Sequence, residues 1–135
     1  MFEIQATKRL IVTAFDIHTS ATSNTQVLVY FRKGTYVGFD SSAVGWEKIA
    51  DTTVTGKGLG NPSPISRNSF SAISLEAGET GSFYFQLSDI FVYSASGIVL
   101  PSDSNLSLLS SMLIFSNFGG TFMTGIWDGV IYYST

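Results

Sequence analysis

Apolar and polar residues alternate along most of this chain, and the spacing of a helical stripe is hard to find. The segment 10–19 illustrates the pattern. One side of an extended chain would carry Ile11, Phe15 and Ile17, and the other would carry Asp16 and His18. A period of two residues is typical of a strand with one buried face. The pattern therefore predicts strands and not helices.

A first hairpin is predicted after the most apolar strand candidate, Val27–Phe31. Its β-branched and aromatic residues occupy both faces, as in a central strand. Arg32–Thr35 follows as a turn and Tyr36–Phe39 as the returning strand.

A second hairpin is predicted around the turn Glu76–Gly81, which separates Phe70–Leu75 from Ser82–Leu87. The inward-facing set expected for these two strands is Ile73, Leu75, Phe83, Phe85 and Leu87. The glycine- and proline-rich segment Gly56–Pro64 is expected to be an irregular loop.

Further strands are predicted at Phe2–Gln5, Trp46–Thr55, Ile90–Ser94, from about Met112, and at Trp127–Tyr133 with a bend at Asp128–Gly129. Between Ser107 and Phe115 a short helical turn competes with the strand. In all, about eight or nine short strands are expected, at intervals near those of sandwiches. The sequence thus predicts one all-β domain spanning residues 1–135, a two-sheet antiparallel β-sandwich of the jelly-roll kind.

Charge is sparse, because only 13% of the residues are charged and the formal net charge is -3. Mean hydropathy is +0.27. Weak self-repulsion and few charges on strand edges favour self-association, so a homo-oligomer or contact with other surface modules is expected. The N-terminal strand Phe2–Gln5 could add to the sheet of a neighbouring molecule.

Several partner classes are disfavoured by composition. The seven Lys and Arg residues are scattered and form no basic patch, so nucleic acid is not expected to bind. No apolar run approaches the ~20 residues of a membrane span, and no signal peptide is expected in the chain as given. The absence of cysteine excludes disulfides and thiolate chemistry.

Three stretches resemble a poorly characterised β-sandwich module of large secreted or surface proteins in diatoms and other marine microbes. They are Phe15–Ser20, Tyr36–Phe39 continuing through Trp46–Gly58, and Ile126–Tyr133. The likeness covers most of the chain and rests largely on core and turn residues. It implies an extracellular or cell-surface, non-enzymatic role.

Catalytic constellations are hard to assemble from these residues. His18 is the only histidine, and no G-x-S-x-G sequence accompanies it. Asp40, Glu47 and Asp51 lie close in sequence, but Glu47 and Asp51 on one strand face would stand roughly 13 Å apart, which suits neither glycosidase mechanism. We expect no enzyme activity.

Calcium is the metal that this composition could bind, and no other cofactor is expected. Asp103 and Asn105, with Ser102, could offer loop oxygens, as could Asp40 and Ser41. Ordinary turns capped by Asp or Asn side chains are the alternative for both places.

Aromatic residues near carboxylates could form a sugar-binding surface, although burial is the more frequent fate of any one ring. The candidates are Tyr36, Asp40, Trp46, Asp51, Trp127 and Tyr133. Two functions are therefore expected: a structural or adhesive module that assembles into a filament, coat or surface layer, or a module that binds a neutral polysaccharide. The first is slightly preferred.

Overall fold

The computed structural model describes residues 1–87, 93–94, 102–114, 118, 122–124, 126–127 and 129–135. These residues form twelve strands, of which nine have three residues or more, and one 3₁₀ turn at Arg67–Ser69. The strands are β1 (Phe2–Ala6), β2 (Leu10–Ile17), β3 (Asn24–Lys33), β4 (Glu47–Thr55), β5 (Ser63–Pro64), β6 (Ile73–Leu75), β7 (Thr80–Leu87), β8 (Tyr93–Ser94), β9 (Leu106–Ile114), β10 (Phe122–Thr124), β11 (Ile126–Trp127) and β12 (Gly129–Ser134).

The strands form a two-sheet antiparallel sandwich, which confirms the predicted fold class. A large sheet has the order β10-β9-β1-β7-β3-β4. A small sheet contains β12, β2 and β5, with β6 also paired to β2, and β8 pairs with β11. Along the chain, strands pass repeatedly from one sheet to the other. No described helix has the length and apolar character needed to cross a membrane.

The core between the sheets is dominated by aromatic rings. Phe15 of the small sheet meets Phe2, Phe83 and Phe85 of the large sheet, with ring centroids 6.3, 5.1 and 5.0 Å away. All but Phe85, which is 6% exposed, are fully shielded from water. Edge-to-face contacts of this kind add to the free energy of burying the rings. Phe15 is therefore a major contact between the two sheets.

The second strand departs from simple alternation because it contains a bulge. Tyr132 pairs with Ala14 and Tyr133 with Val12, which leaves Thr13 without a partner residue. The extra residue shifts the phase, so Ala14 and Phe15 are both buried. Placing Ile11 on the inner face was consequently wrong, since Leu10 and Val12 face the core and Ile11 is only half-buried.

The first predicted hairpin is wrong, because Tyr36–Phe39 is not a strand. β3 pairs instead with β4, and residues 34–46 form the loop between them, here called the β3–β4 loop. The β3/β4 ladder has its own bulge: Val29 pairs with Ala50 and Tyr30 with Lys48, so that Ile49 and Ala50 are both buried.

The second predicted hairpin is also wrong. β6 pairs with β2 in the small sheet, whereas β7 pairs with β1 and β3 in the large sheet. The turn between them carries the chain across the sandwich. The expected inward side chains are nevertheless correct: Ile73, Leu75, Phe83 and Phe85 are buried, and Leu87 packs against the same core.

The N-terminal strand is not available to a neighbouring molecule. β1 lies inside the large sheet and pairs with β7 on one side and β9 on the other. The expectation that it adds to another sheet is wrong, because both of its edges are already used. β9 begins at Leu106, earlier than the predicted Met112, and no helical turn competes with it. Residues 90–92 of one predicted strand, and Asp128, lie outside the described residues.

Candidate functional site

The candidate residues from the sequence occupy three separate places. Trp127 and Tyr133 lie near Asp103 and Asn105 at one end of the sandwich, beside a cleft. Tyr36, Asp40 and Trp46 belong to the β3–β4 loop, which covers the outer face of the large sheet. Asp51 lies apart from both groups on β4, at an edge of that sheet.

The cleft has a volume of about 260 Å³ and opens between the two sheets. β1 and β9 form one wall, and β11 and β12 form the other. Its lining residues are Ile4, Ser102, Asp103, Leu106, Leu108, Trp127, Gly129 and Ile131. Most of this surface is apolar, and the polar groups are those at 102, 103 and 127. A concave, mainly apolar site with a few polar groups is the usual form of a small-molecule site.

Trp127 links the cleft to the aromatic core. Its ring stacks on Phe2 with centroids 4.4 Å apart, and its backbone N–H donates to Ser111 Oγ at 2.8 Å. Gly129 leaves room for it, because a Cβ at 129 would come within 2.5 Å of both the indole and the Asp16 carbonyl oxygen. The indole N–H is buried and has no hydrogen-bond partner in the described part of the chain. A buried donor without a partner costs about 1–3 kcal/mol.

Asp103 is held at the cleft by three hydrogen bonds. Its Oδ1 accepts from the backbone N–H groups of Asn105 and Leu106, each at 2.8 Å. Its Oδ2 accepts from the Tyr133 hydroxyl at 2.5 Å, and the Asn105 amide donates to that hydroxyl at 3.3 Å. The bond from Tyr133, followed by the bond from the Asn105 backbone, lowers the pKa of Asp103 below its ordinary value. The same bond to Asp103 raises the pKa of Tyr133.

This arrangement matches an Asp-capped turn more closely than a calcium site. The Asp103 carboxylate is engaged by donors, and the Asn105 amide donates to Tyr133, so neither residue is arranged around a shared cation. The described residues hold no group of three or more His, Asp or Glu side chains that could bind a metal. The turn chemistry of Asp and Asn accounts for both residues.

Tyr36 and Trp46 are not an open sugar-binding platform, because both are used in packing. Tyr36 is only 3% exposed, and a hydrogen bond of 2.8 Å joins its hydroxyl to Ser110 Oγ. Burial, more than any neighbouring group, raises its pKa. Trp46 is half-buried beside Tyr84, and its indole N–H donates to the Phe39 carbonyl oxygen at 2.8 Å. Asp40 is half-buried in the same loop.

The β3–β4 loop, so anchored, presents apolar side chains to solvent. Val37 is 66% exposed, Val44 is 80% exposed and Phe39 is 38% exposed. The Arg32 guanidinium lies 3.2 Å from the centre of the Phe39 ring and fixes it from the sheet side. The local pattern does not identify Val37 and Val44 as exposed, because it cannot distinguish an exposed valine from a buried one.

The remaining carboxylates and the histidine are dispersed. Asp51 is exposed and accepts hydrogen bonds from Gln26 at 3.0 Å and Lys48 at 3.2 Å. Asp16 accepts from the Tyr132 hydroxyl at 2.8 Å, on the small sheet. His18 follows β2 and is half-buried.

Comparisons with protein-family models, with curated proteins and with solved structures found no match to this chain. The resemblance to a surface module of marine microbes therefore stays a prediction. The fold is a two-sheet antiparallel β-sandwich, and its function has to be argued from its own surfaces.

Proposed function

We propose that this chain is a non-enzymatic structural module that assembles with further copies of itself through the β3–β4 loop. The main observation behind the proposal is that Val37, Phe39 and Val44 are exposed on a loop that is anchored to the large sheet. Monomeric proteins seldom keep several large apolar side chains exposed together unless the patch is a contact surface. An extracellular or cell-surface location, implied by the resemblance, belongs to the same proposal.

Rigidity of the loop favours association. Tyr36 and Trp46 anchor its two ends, and the Phe39 backbone N–H donates to the Tyr36 carbonyl oxygen at 2.8 Å. A surface that is already ordered loses little conformational entropy when it binds. The exposed valines therefore stand in a fixed arrangement before any partner arrives.

A second copy is the partner that the charges favour. Within residues 34–46, Asp40 is the only charged residue, and Arg32 lies beside the loop. A two-fold contact sets the same surface against itself, so a patch with many like charges would repel its copy. With a single carboxylate in the loop, this repulsion is small. The formal net charge of -3 adds little long-range repulsion.

A second patch allows growth beyond a dimer. Val130 and Tyr132 of β12 are each 38% exposed, and they alternate with Ile131 and Tyr133, which pack on the core. They face outward from the small sheet, on the opposite side of the sandwich from the β3–β4 loop. Two patches on opposite faces can link copies into a filament or layer.

The test is the mass of the chain in solution as a function of concentration. We expect sedimentation equilibrium to show a rise from 14.6 kDa towards twice that value and higher. Val44→Glu should block association through the loop, because it places a charge in the loop patch, and should leave no species larger than the dimer that the β12 patch can form. Val130→Glu should stop growth at the dimer.

Leu59→Glu is the matched control. Leu59 is 66% exposed, the same as Val37, but it follows β4, at the opposite end of the β3/β4 pair. Its substitution should leave association unchanged. A wild-type chain that stays monomeric at the highest attainable concentration would refute the proposal, as would equal effects of Val44→Glu and Leu59→Glu.

A further inference from the structure

We infer that the cleft beside Trp127 is a binding site for one residue of a neutral sugar. This inference does not depend on self-assembly, because the cleft lies between the sheets and shares no residue with the β3–β4 loop. The sequence predicted only scattered aromatic candidates, whereas the cleft defines one site and one class of ligand.

The size of the cleft limits the ligand. At about 30 Å³ for each water, 260 Å³ corresponds to roughly eight or nine water molecules. Sites for drug-sized ligands begin at about 300 Å³. A single six-membered ring with its substituents fits this space, and a longer oligosaccharide would have to extend outward from the mouth.

The walls select a ligand with an apolar face. Ile4, Leu106, Leu108 and Ile131 offer only aliphatic carbon to the cleft. A fully hydrated polar molecule would lose water contacts there without compensation. The C–H groups on one side of a sugar ring can pack against such walls while the hydroxyl groups turn towards the polar positions.

The polar groups select hydroxyl groups. A carboxylate has about four acceptor positions, and described donors occupy three of those on Asp103, so one more donor can be bound. The indole N–H of Trp127 has no acceptor among the residues that the structure describes. A hydroxyl can both donate and accept, so it satisfies either group.

Charge excludes acidic ligands. The Asp103 carboxylate is ionised near neutral pH, since the hydrogen bonds of Tyr133 and Asn105 lower its pKa. No lysine or arginine lines the cleft to offset that charge. An acidic sugar would therefore be repelled, and a neutral one would not.

Contact between a ligand and the indole N–H of Trp127 requires the indole to move. The N–H has almost no contact with solvent, so it meets a ligand only when the ring turns towards the cleft. The hydrogen bond gained favours this turn, because the described part of the chain offers the donor no partner. Trp127 should consequently report binding directly.

The experiment is a titration followed by ¹H–¹⁵N NMR of the two indole N–H groups, which belong to Trp46 and Trp127. The probes are glucose, galactose, mannose and xylose, with glucuronate as an acidic sugar and cyclohexanol as an apolar ring. We expect at least one neutral sugar to move the Trp127 signal to lower field in a saturable way, with a dissociation constant on the order of 1 mM. The Trp46 signal should not move, since its N–H is already bound to Phe39.

Variants separate the cleft from the rest of the surface. Ile131→Phe fills the cleft and should abolish binding, and Asp103→Asn should weaken it about tenfold, the effect of losing one hydrogen bond to a charged group. Asp51→Asn is the matched control, because Asp51 is likewise a hydrogen-bonded carboxylate, with two side-chain donors, but it lies on the far edge of the large sheet. Near-ultraviolet circular dichroism checks that each variant is folded.

Four results would overturn the inference. They are no saturable shift with any neutral sugar, tighter binding of glucuronate than of its neutral counterpart, binding of cyclohexanol alone, and unchanged sugar binding in folded Ile131→Phe. Self-assembly can fail its own test in sedimentation without affecting this outcome, so the two proposals are distinguishable.

Discussion

Replacing Phe15 by alanine is expected to be the most damaging single change in the sandwich core. Phe15 is a fully buried residue of the small sheet, and five other aromatic rings contact it. Its ring partners are Phe2, Phe70, Phe83, Phe85 and Trp127, with centroids 5.0 to 6.3 Å away. The substitution removes the ring and leaves a cavity bordered by both sheets.

The expected loss follows from the ring contacts. Phe→Ala substitutions in cores cost about 3–5 kcal/mol. Each edge-to-face pair is worth about 0.5–1.5 kcal/mol beyond burial, so the loss at Phe15 should lie near the upper end, about 4–5 kcal/mol. Since whole domains are stable by about 5–15 kcal/mol, this variant should be close to unfolding.

The assay is urea denaturation followed by far-ultraviolet circular dichroism. Phe15→Leu keeps much of the volume and should cost about 1–3 kcal/mol, which remains measurable if the alanine variant does not fold. Phe39→Ala is the control: Phe39 is 38% exposed and should cost under about 1 kcal/mol. A loss at Phe15→Ala below about 2 kcal/mol, or no greater than at Phe39→Ala, would refute the view that Phe15 joins the two sheets.

Two further predictions concern protons. Burial lowers the pKa of the Met1 α-amino group from 8.0 to about 5. Between these values the unfolded chain holds a proton that the folded chain does not, so stability should rise with pH over this window by up to about 4 kcal/mol. Urea denaturation across the window measures the rise, and an Nα-acetylated chain should lack it. If both chains show the same slope, the amine is not the cause. Tyr133→Phe removes the hydrogen bond that contributes most to the lowered pKa of Asp103. That pKa should therefore move up towards its ordinary value. Titration of the carboxyl carbon by NMR measures this, and an unchanged pKa would show that the Tyr133 hydroxyl does not lower it.

Local pattern was sufficient to predict most strands and the inner faces of several. The alternation in β7 and β6 correctly identified Phe83, Phe85, Ile73 and Leu75 as core residues. It failed at Ile11 because a single unpaired residue, Thr13, changes the phase of β2, and a bulge leaves no mark on hydrophobic spacing.

The pairing of distant strands could not be predicted from the sequence. A turn such as Glu76–Gly81 looks the same whether it closes a hairpin or carries the chain to the other sheet. Here Leu75 pairs with Leu10, and Phe83 pairs with Phe2 and Phe31, so the turn crosses the sandwich. The difference depends on which partners are free elsewhere, and that is a property of the whole fold.

The sequence predicted individual residues of the cleft but not the cleft itself. Trp127, Tyr133 and Asp103 were each selected for their chemistry, but from separate arguments. Trp127 and Tyr133 follow Asp103 by 24 and 30 residues, and only the pairing of β11 with β8 and of β12 with β2 brings them near it. The Asp103–Asn105 turn was the one local signal, and it indicates a turn without indicating what the turn borders.

The position of β1 has a consequence for how the chain folds. Phe2 must pair with Phe83 on one side and Ser111 on the other. During synthesis, β1 therefore cannot pair along both edges until more than a hundred further residues have been made. Long-range strand pairing slows folding, because loop-closure entropy is lost before the contacts form. Until β9 emerges, one edge of β1 has no partner strand, and an unpaired strand edge exposes the nascent chain to aggregation.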